Sequence, residues 1–188
     1  MWTYFLNIVV MIRHESANGT GNKQFVKKSV SEQLDSGLQD YFRSTGFSEA
    51  ELPSVEEMSF SDFLSNKLLV VKAIRKGIPY SLFELIRNVT PFTNNDWAKY
   101  LDISSKSLVR YQQQDKIFKS SQTEKIIELA EVTNRGVDVF GSDDKFRRWL
   151  ETPNYALGKL KPFDLLMDSY GKEMIMGELT RIEYGILA

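Results

Sequence analysis

The chain has 188 residues, 42% apolar and 26% charged, the composition of a globular protein long enough for one sizeable domain or two small ones sharing a core. It has no cysteine and a single histidine, His14, which excludes disulfides, thiolate metal sites and cysteine nucleophiles and leaves no material for a zinc site or a histidine-based triad. The formal net charge of −1 hides an asymmetry: residues 1–59 carry 5 basic and 8 acidic side chains, residues 60–136 carry 12 and 8, and residues 137–188 carry 7 and 9.

A positive middle between negative flanks suggests a polyanion-binding module inside a chain that is not basic overall. The absence of cysteine fits a reducing cytoplasm, the expected location. The opening "MWTYFLNIVVMI" is apolar, but Arg13 ends it after 12 residues, short of the roughly 20 a spanning helix needs. No basic region precedes it and no small-x-small cleavage site follows closely, so the expectation is a strand or sticky arm with no membrane role. Met11 is an alternative natural start to Met1. "HESANGTGNK" reads as loop, and its Gly19 and Gly21 lack the strand, helix and lysine context of a phosphate-binding loop. "VSEQLDSGLQDYFRSTGF" predicts a helix with Leu34, Leu38 and Tyr41 on one face. Residues 1–59 are expected to form a partly ordered extension.

From Phe60 the pattern turns helical. "FSDFLSNKLLVVKAIRKGI" places apolar residues at 60, 63, 64, 68, 71 and 74, close to a period of 3.6, and predicts one helix ended by Gly77 and Pro79. "SLFE" predicts a new start through a capping box of Ser81 and Glu84. The rest of the chain reads as helix after helix, so the expected fold class is all-α.

"TNNDWAKYLDISSKSLVRYQQ" carries the first specific signal. Two short helices crossing at a tight turn need a small residue where they touch, a turn residue tolerant of the left-handed region, and apolar anchors at set offsets. Ala98, Leu101, Asp102, Ile103, Leu108 and Tyr111 occupy those offsets, with Asp102 where glycine is commoner. Leu108 and Tyr111 facing inward turns Ser105, Lys106, Val109, Arg110 and Gln113 outward. Ser104 stands at the N-cap, and Ser107 joins the exposed first turn. This is the layout of a recognition helix reading the major groove of operator DNA, with Lys99, Lys116, Lys119 and Lys125 disposed toward phosphates. Residues 99–125 carry 6 basic and 3 acidic side chains, which implies modest affinity per subunit and a dimer for tight binding. A helix-turn-helix domain is expected over residues 60–136.

Residues 137–188 open with a short helix bearing Phe146, Trp149 and Leu150, broken at Pro153. A turn follows at Gly158, Pro162 stands at a first helical position, and a last helix starts at Gly171 with Ile175, Leu179, Ile182 and Ile186 in one apolar stripe. The order of these pieces resembles the C-terminal toxin-binding domain of the Xre/MbcA/ParS-type antitoxins, whose pattern runs W-L, P-N-x-A-L-G-G, P-x-D-L-L, a glycine and a terminal R-I-E-[YH]-G. The chain supplies Trp149 and Leu150; Pro153, Asn154, Ala156, Leu157 and Gly158; Pro162, Asp164, Leu165 and Leu166; Gly171; and Arg181, Ile182, Glu183, Tyr184 and Gly185. It departs at Lys159, where a second glycine is usual. The resemblance covers residues from about 60 to 188 and leaves residues 1–59 outside.

What the resemblance implies is an antitoxin with two duties. Its C-terminal domain binds and occludes the active site of a cognate RES-domain toxin that destroys NAD. Its helix-turn-helix represses the shared operon, usually as a homodimer. The toxin-binding residues expected on this basis are Arg181, Glu183, Tyr184, Gly185, Ile186, Leu187 and Ala188, with the terminal carboxylate entering the toxin's cleft. The stripe alone also allows these apolar residues to complete the protein's own core. No catalytic residue, metal site, cofactor or small-molecule substrate is expected. One rival reading is a stand-alone transcriptional regulator whose C-terminal domain only dimerises. The other is an enzyme using Asp143 and Asp144 or Asp164 and Asp168, pairs that otherwise read as charges at helix starts.

Overall fold

The computed structural model describes residues 30–47 and 58–186. The opening apolar run, the His14 loop, residues 48–57, Leu187 and Ala188 lie outside the described residues. Every regular element among the described residues is helical, as the patterning predicts; pairing of extended backbone is limited to isolated bridges at Pro79–Ile117 and Asn154–Leu160.

α1 (Val30–Thr45) is the helix expected in the extension, and Leu34, Leu38, Tyr41 and Phe42 are buried along it. The single helix expected from Phe60 is instead two, α2 (Phe60–Ser65) and α3 (Lys67–Lys76). Asn66 divides them, because its side chain accepts the backbone N–H of Leu69 at 3.2 Å and caps the second helix. The break resets the helical phase. Phe60, Phe63 and Leu64 stay inward, but Leu69, Val70 and Ala73 take over in α3, and the expected core residue Leu68 is 64% exposed. Gly77 ends α3 at φ 80°, ψ 156°, a region glycine alone adopts readily, and a Cβ there would stand 2.4 Å from the carbonyl oxygen of Phe118.

α4 (Tyr80–Asn88) follows, and its start corrects the expected capping box. Pro79 is the N-cap; Ser81 lies inside the helix and gives its backbone N–H to Asp115 at 2.7 Å. Glu84 pairs with Arg87 at 3.1 Å. A carboxylate distant in sequence thus serves this helix start in place of the local pair. α1 lies along α4 through Gly37, whose Cβ would stand 2.3 Å from Leu85 Cδ1. The Tyr41 hydroxyl donates to the Gly77 carbonyl at 2.9 Å, and burial raises that phenol well above its ordinary pKa, so it stays a neutral donor. The described part of the extension is therefore built into the shared core.

α5 (Asn94–Tyr100) and α6 (Ser105–Gln113) come next, then the 21-residue α7 (Ser120–Phe140), which Gly141 ends in the left-handed region. Ile126, Ile127, Leu129, Ala130 and Val132 bury α7 against α3 on one side and against α8 (Asp143–Glu151) and the last helix on the other. Residues 136 and 137 fall inside α7, so the helix-turn-helix and C-terminal units share it. Gly136 allows the approach of α8, since a Cβ there would meet Phe146 at 2.3 Å. A 3-10 turn at Tyr155–Leu157, α9 (Pro162–Leu165) and α10 (Ser169–Glu183) complete the fold.

Candidate functional site

The crossing of α5 and α6 is built as the sequence spacing requires. Ala98, Leu101, Leu108 and Tyr111 are buried, and Ile103 is half-buried against the core. Asp102 turns the chain at φ 52°, in the left-handed region that Asp tolerates better than most residues. Ile103 then returns its N–H to the Ala98 carbonyl at 3.0 Å. Ser104 caps α6 by accepting the Ser107 N–H at 3.1 Å. The outer face of α6 presents Ser105, Lys106, Val109, Arg110 and Gln113 to solvent, beside a partly covered Ser107. Lys99 and Lys119 are also exposed, Lys125 is half-buried, and Lys116 lies over the Tyr111 ring at 5.0 Å. No core role competes for the side chains of Lys106 and Arg110, both exposed on α6.

Gln122, which sequence reasoning missed, fixes this unit to α7. Its amide oxygen accepts the Tyr111 hydroxyl and the Lys119 N–H, both at 3.3 Å, and its nitrogen donates to the Leu101 carbonyl at 3.4 Å. The first turn of α7 is thereby tied to both helices of the crossing. The bond to Lys119 is local, three residues away, but no sequence pattern announces the other two, whose partners lie 11 and 21 residues away.

The C-terminal motifs each have a structural reason. Leu150 is buried, and Trp149 packs on Phe146 and Phe140 at ring distances of 6.0 and 5.5 Å. Asn154 accepts the N–H groups of Ala156 and Lys159, each at 2.8 Å, and closes the "PNYALGKL" loop. Gly158 and Lys159 both have positive φ, 70° and 63°, which accounts physically for two glycines being usual there. Pro162 stands at the first position of α9, as expected. α10 begins two residues before Gly171, capped by Asp168; Gly171 is needed because a Cβ would lie 1.8 Å from the Leu165 carbonyl oxygen. Asp143, Asp144 and Asp164 sit in first turns and Asp168 at an N-cap, the placement expected of helix-start charges.

The end of α10 departs from the expected stripe. Ile175 and Leu179 are buried and Ile182 half-buried, but Ile186 is 60% exposed and does not pack inward. The reason is a Schellman turn: Gly185 stands at φ 69°, its N–H bonds the Ile182 carbonyl at 3.0 Å, and the Ile186 N–H bonds the Arg181 carbonyl at 2.9 Å. The chain leaves the helix line, and Tyr184 is left 74% exposed beside Ile186. Arg181 pairs with the buried Glu178 at 2.8 Å. Glu183 receives both guanidinium nitrogens of Arg135. Leu187 and Ala188 lie outside the described residues.

Among the described residues no group of three or more His, Asp or Glu side chains is placed to hold a metal ion, and no helix is long and apolar enough to cross a membrane.

Comparison with known proteins matches both units. Residues 69–131 match the antitoxin Xre-like helix-turn-helix domain, and residues 135–185 match the antitoxin Xre/MbcA/ParS C-terminal toxin-binding domain. Relatives include an "Antitoxin Xre" of Photorhabdus laumondii subsp. laumondii, 27% identical over 61% of this chain and 78% of its own length. An "Antitoxin Xre" of Yersinia enterocolitica is 26% identical over 66% of this chain and 84% of its own length. A helix-turn-helix built on Ala98, Asp102 and Ser104, joined through α7 to a toxin-binding domain that ends at the Gly185 turn, places the chain in the family of Xre/MbcA/ParS-type antitoxins.

Proposed function

We propose that this antitoxin neutralises a RES-domain, NAD-degrading toxin by occluding its active site with the segment from Arg181 to Ala188. The observation that carries the reading is the Gly185 turn. It directs an apolar end, with Tyr184 and Ile186 in solvent, away from a core that Ile175 and Leu179 already complete. Exposed aromatic and aliphatic groups beside an arginine are the usual anchors of a protein interface. The chain supplies no chemistry and needs no cofactor; its contribution is steric.

The second half of the reading is repression of its own operon in the cytoplasm, by a homodimer that sets two copies of α6 into successive major grooves. Ser104, Ser105, Lys106, Ser107, Val109, Arg110 and Gln113 meet the bases, and Lys99 and Lys116 the phosphates.

A chain ending at Glu183 tests the occlusion. It keeps its helical circular dichroism spectrum and its binding to DNA upstream of its own gene, and it fails to protect cells expressing the RES-domain protein of the adjoining reading frame. Full protection by this truncated chain overturns the occluding role.

A further inference from the structure

α10 is apolar on two sides. Its inward side carries Gly171, Ile175, Leu179 and Ile182, and this chain's own core explains it. The other side has no such partner among the described residues: Tyr170 is 80% exposed and Met174 47%. At about 100° per residue, Tyr170, Met174, Gly177, Arg181 and Tyr184 fall within an arc of about 80°. Their alternating spacing of 4 and 3 residues is the seam along which one helix receives another.

Gly177 lies at the centre of that seam. The other glycines inside helices have internal reasons, since a Cβ would collide with Leu85 at Gly37, with Phe146 at Gly136 and with Leu165 at Gly171. At Gly177 no described residue beyond the helix's own neighbouring backbone lies within 4 Å of the Cβ position. Glycine is the least favourable helix residue after proline, and what it offers in return is close approach to the backbone. No described residue makes that approach here, so the position stands open to a partner. Of the ten large apolar side chains exposed among the described residues, six lie between 155 and 186, three of them, Tyr170, Met174 and Tyr184, on this seam.

We infer that the outer seam of α10 is a docking surface on which the toxin lays an apolar helix, closest at Gly177. The inference rests on the proposed neutralisation of that toxin and adds that holding and inhibiting are separate: the seam holds, the tail occludes. The occupant is the toxin rather than a second copy of this chain. The seam lies wholly inside the segment matched as a toxin-binding domain and runs through Tyr184 into the tail. Arg181 is set for the task before the toxin arrives, because the buried Glu178 carboxylate fixes its guanidinium at 2.8 Å on the seam's edge.

The test uses the full chain and the RES-domain protein of the adjoining reading frame, with affinity measured by calorimetry and NAD loss followed in parallel. Gly177→Gln places a side chain into what is open solvent in the free protein. It is expected to leave the melting temperature unchanged or higher and DNA binding unaltered, while weakening toxin binding about tenfold or more. A chain ending at Gly185 keeps the seam, so it is expected to bind the toxin yet no longer suppress NAD loss. Gly177→Gln with unchanged toxin affinity overturns the docking surface, even where loss of the tail abolishes inhibition and so upholds occlusion. A Gly177→Gln chain whose sedimented mass halves without toxin overturns it in favour of self-association. Failure of the intact chain to bind the toxin removes the proposed function and this inference together.

Discussion

Glu131 on α7 accepts the ammonium of Lys172 on α10 at 2.8 Å and, through its other oxygen, that of Lys67 on α3 at 2.6 Å. One carboxylate thus ties the helix-turn-helix unit to the toxin-binding unit. Burial acts to raise the pKa of Glu131, but the hydrogen bonds and charges of the two lysines outweigh it and hold the group below its usual range. A folded pKa below the unfolded value of 4.5 means the stabilisation is complete above that pH and is lost as pH falls through the folded value. Glu131→Gln is therefore expected to cost about 1–2 kcal/mol at neutral pH. The gap between variant and parent should close in acid. Thermal melts of both proteins at neutral pH and well below pH 4.5 decide it, and a gap that stays constant refutes the assignment.

Gly77 combines a backbone region closed to other residues with a tight neighbour. Its added Cβ would meet the Phe118 carbonyl oxygen at 2.4 Å and Ile117 Cγ2 at 2.7 Å. The same loop carries the Phe118 N–H to the Ile78 carbonyl at 2.8 Å, so movement to relieve the clash breaks that bond. Gly77→Ala is expected to destabilise the fold by about 3 kcal/mol, the sum of a strained backbone and a displaced strand-like pairing. Urea unfolding measures the loss; a change under about 0.5 kcal/mol contradicts the rigidity of the loop.

What was legible in the sequence was whatever depends on near neighbours. Asp102, Ser104, Gly77 and Pro162 act within a turn or cap of their own position, and the structure places each as its residue type requires. The face of α1 was legible for the same reason, since a period of 3.6 over 16 residues admits one inward side. The sequence misleads where a local rule meets a competitor. The apolar period from Phe60 to Ile74 persists across Asn66, so nothing in the period reveals that the cap there resets the phase and exposes Leu68. Ser81 and Glu84 have capping-box spacing, yet Asp115, 34 positions on, takes the serine's bonds. Ile186 continues the stripe of α10 in sequence, but the glycine before it ends the helix and turns it out. Glu131 and the links of Gln122 to Leu101 and Tyr111 leave no signal in the sequence, because those partners are brought together only by the fold.

Lys159 offers a gain of stability. It follows Gly158 into the left-handed region at φ 63°, a conformation that costs a residue with a Cβ about 1–2 kcal/mol. Its side chain reaches over the Tyr155 ring at 5.7 Å, an exposed cation–π pair that returns about 0.5 kcal/mol. Lys159→Gly is expected to stabilise the protein by about 0.5–1 kcal/mol, net of the cation–π attraction that the substitution removes. A melting temperature that falls on substitution shows the Lys159–Tyr155 pair to be worth more than the strain it accompanies.

DNA recognition and toxin neutralisation separate at α6. Lys106 and Arg110 lie on its outer face, whereas Leu108 and Tyr111 hold the helix in place from the other side. Replacing Lys106 and Arg110 together with alanine leaves the buried anchors, the Ser104 cap and the Gln122 links intact. The double variant is expected to keep its melting temperature and its protection against the toxin. Operator binding should weaken by about 1–3 kcal/mol for each base that goes unread, and the dependence of affinity on salt should flatten as phosphate-side charge is removed. Gel-shift titrations on the DNA upstream of the gene, at two salt concentrations, measure both effects. Retained operator affinity rules out α6 as the recognition helix, and loss of toxin protection along with DNA binding shows that the face of α6 supports the fold instead.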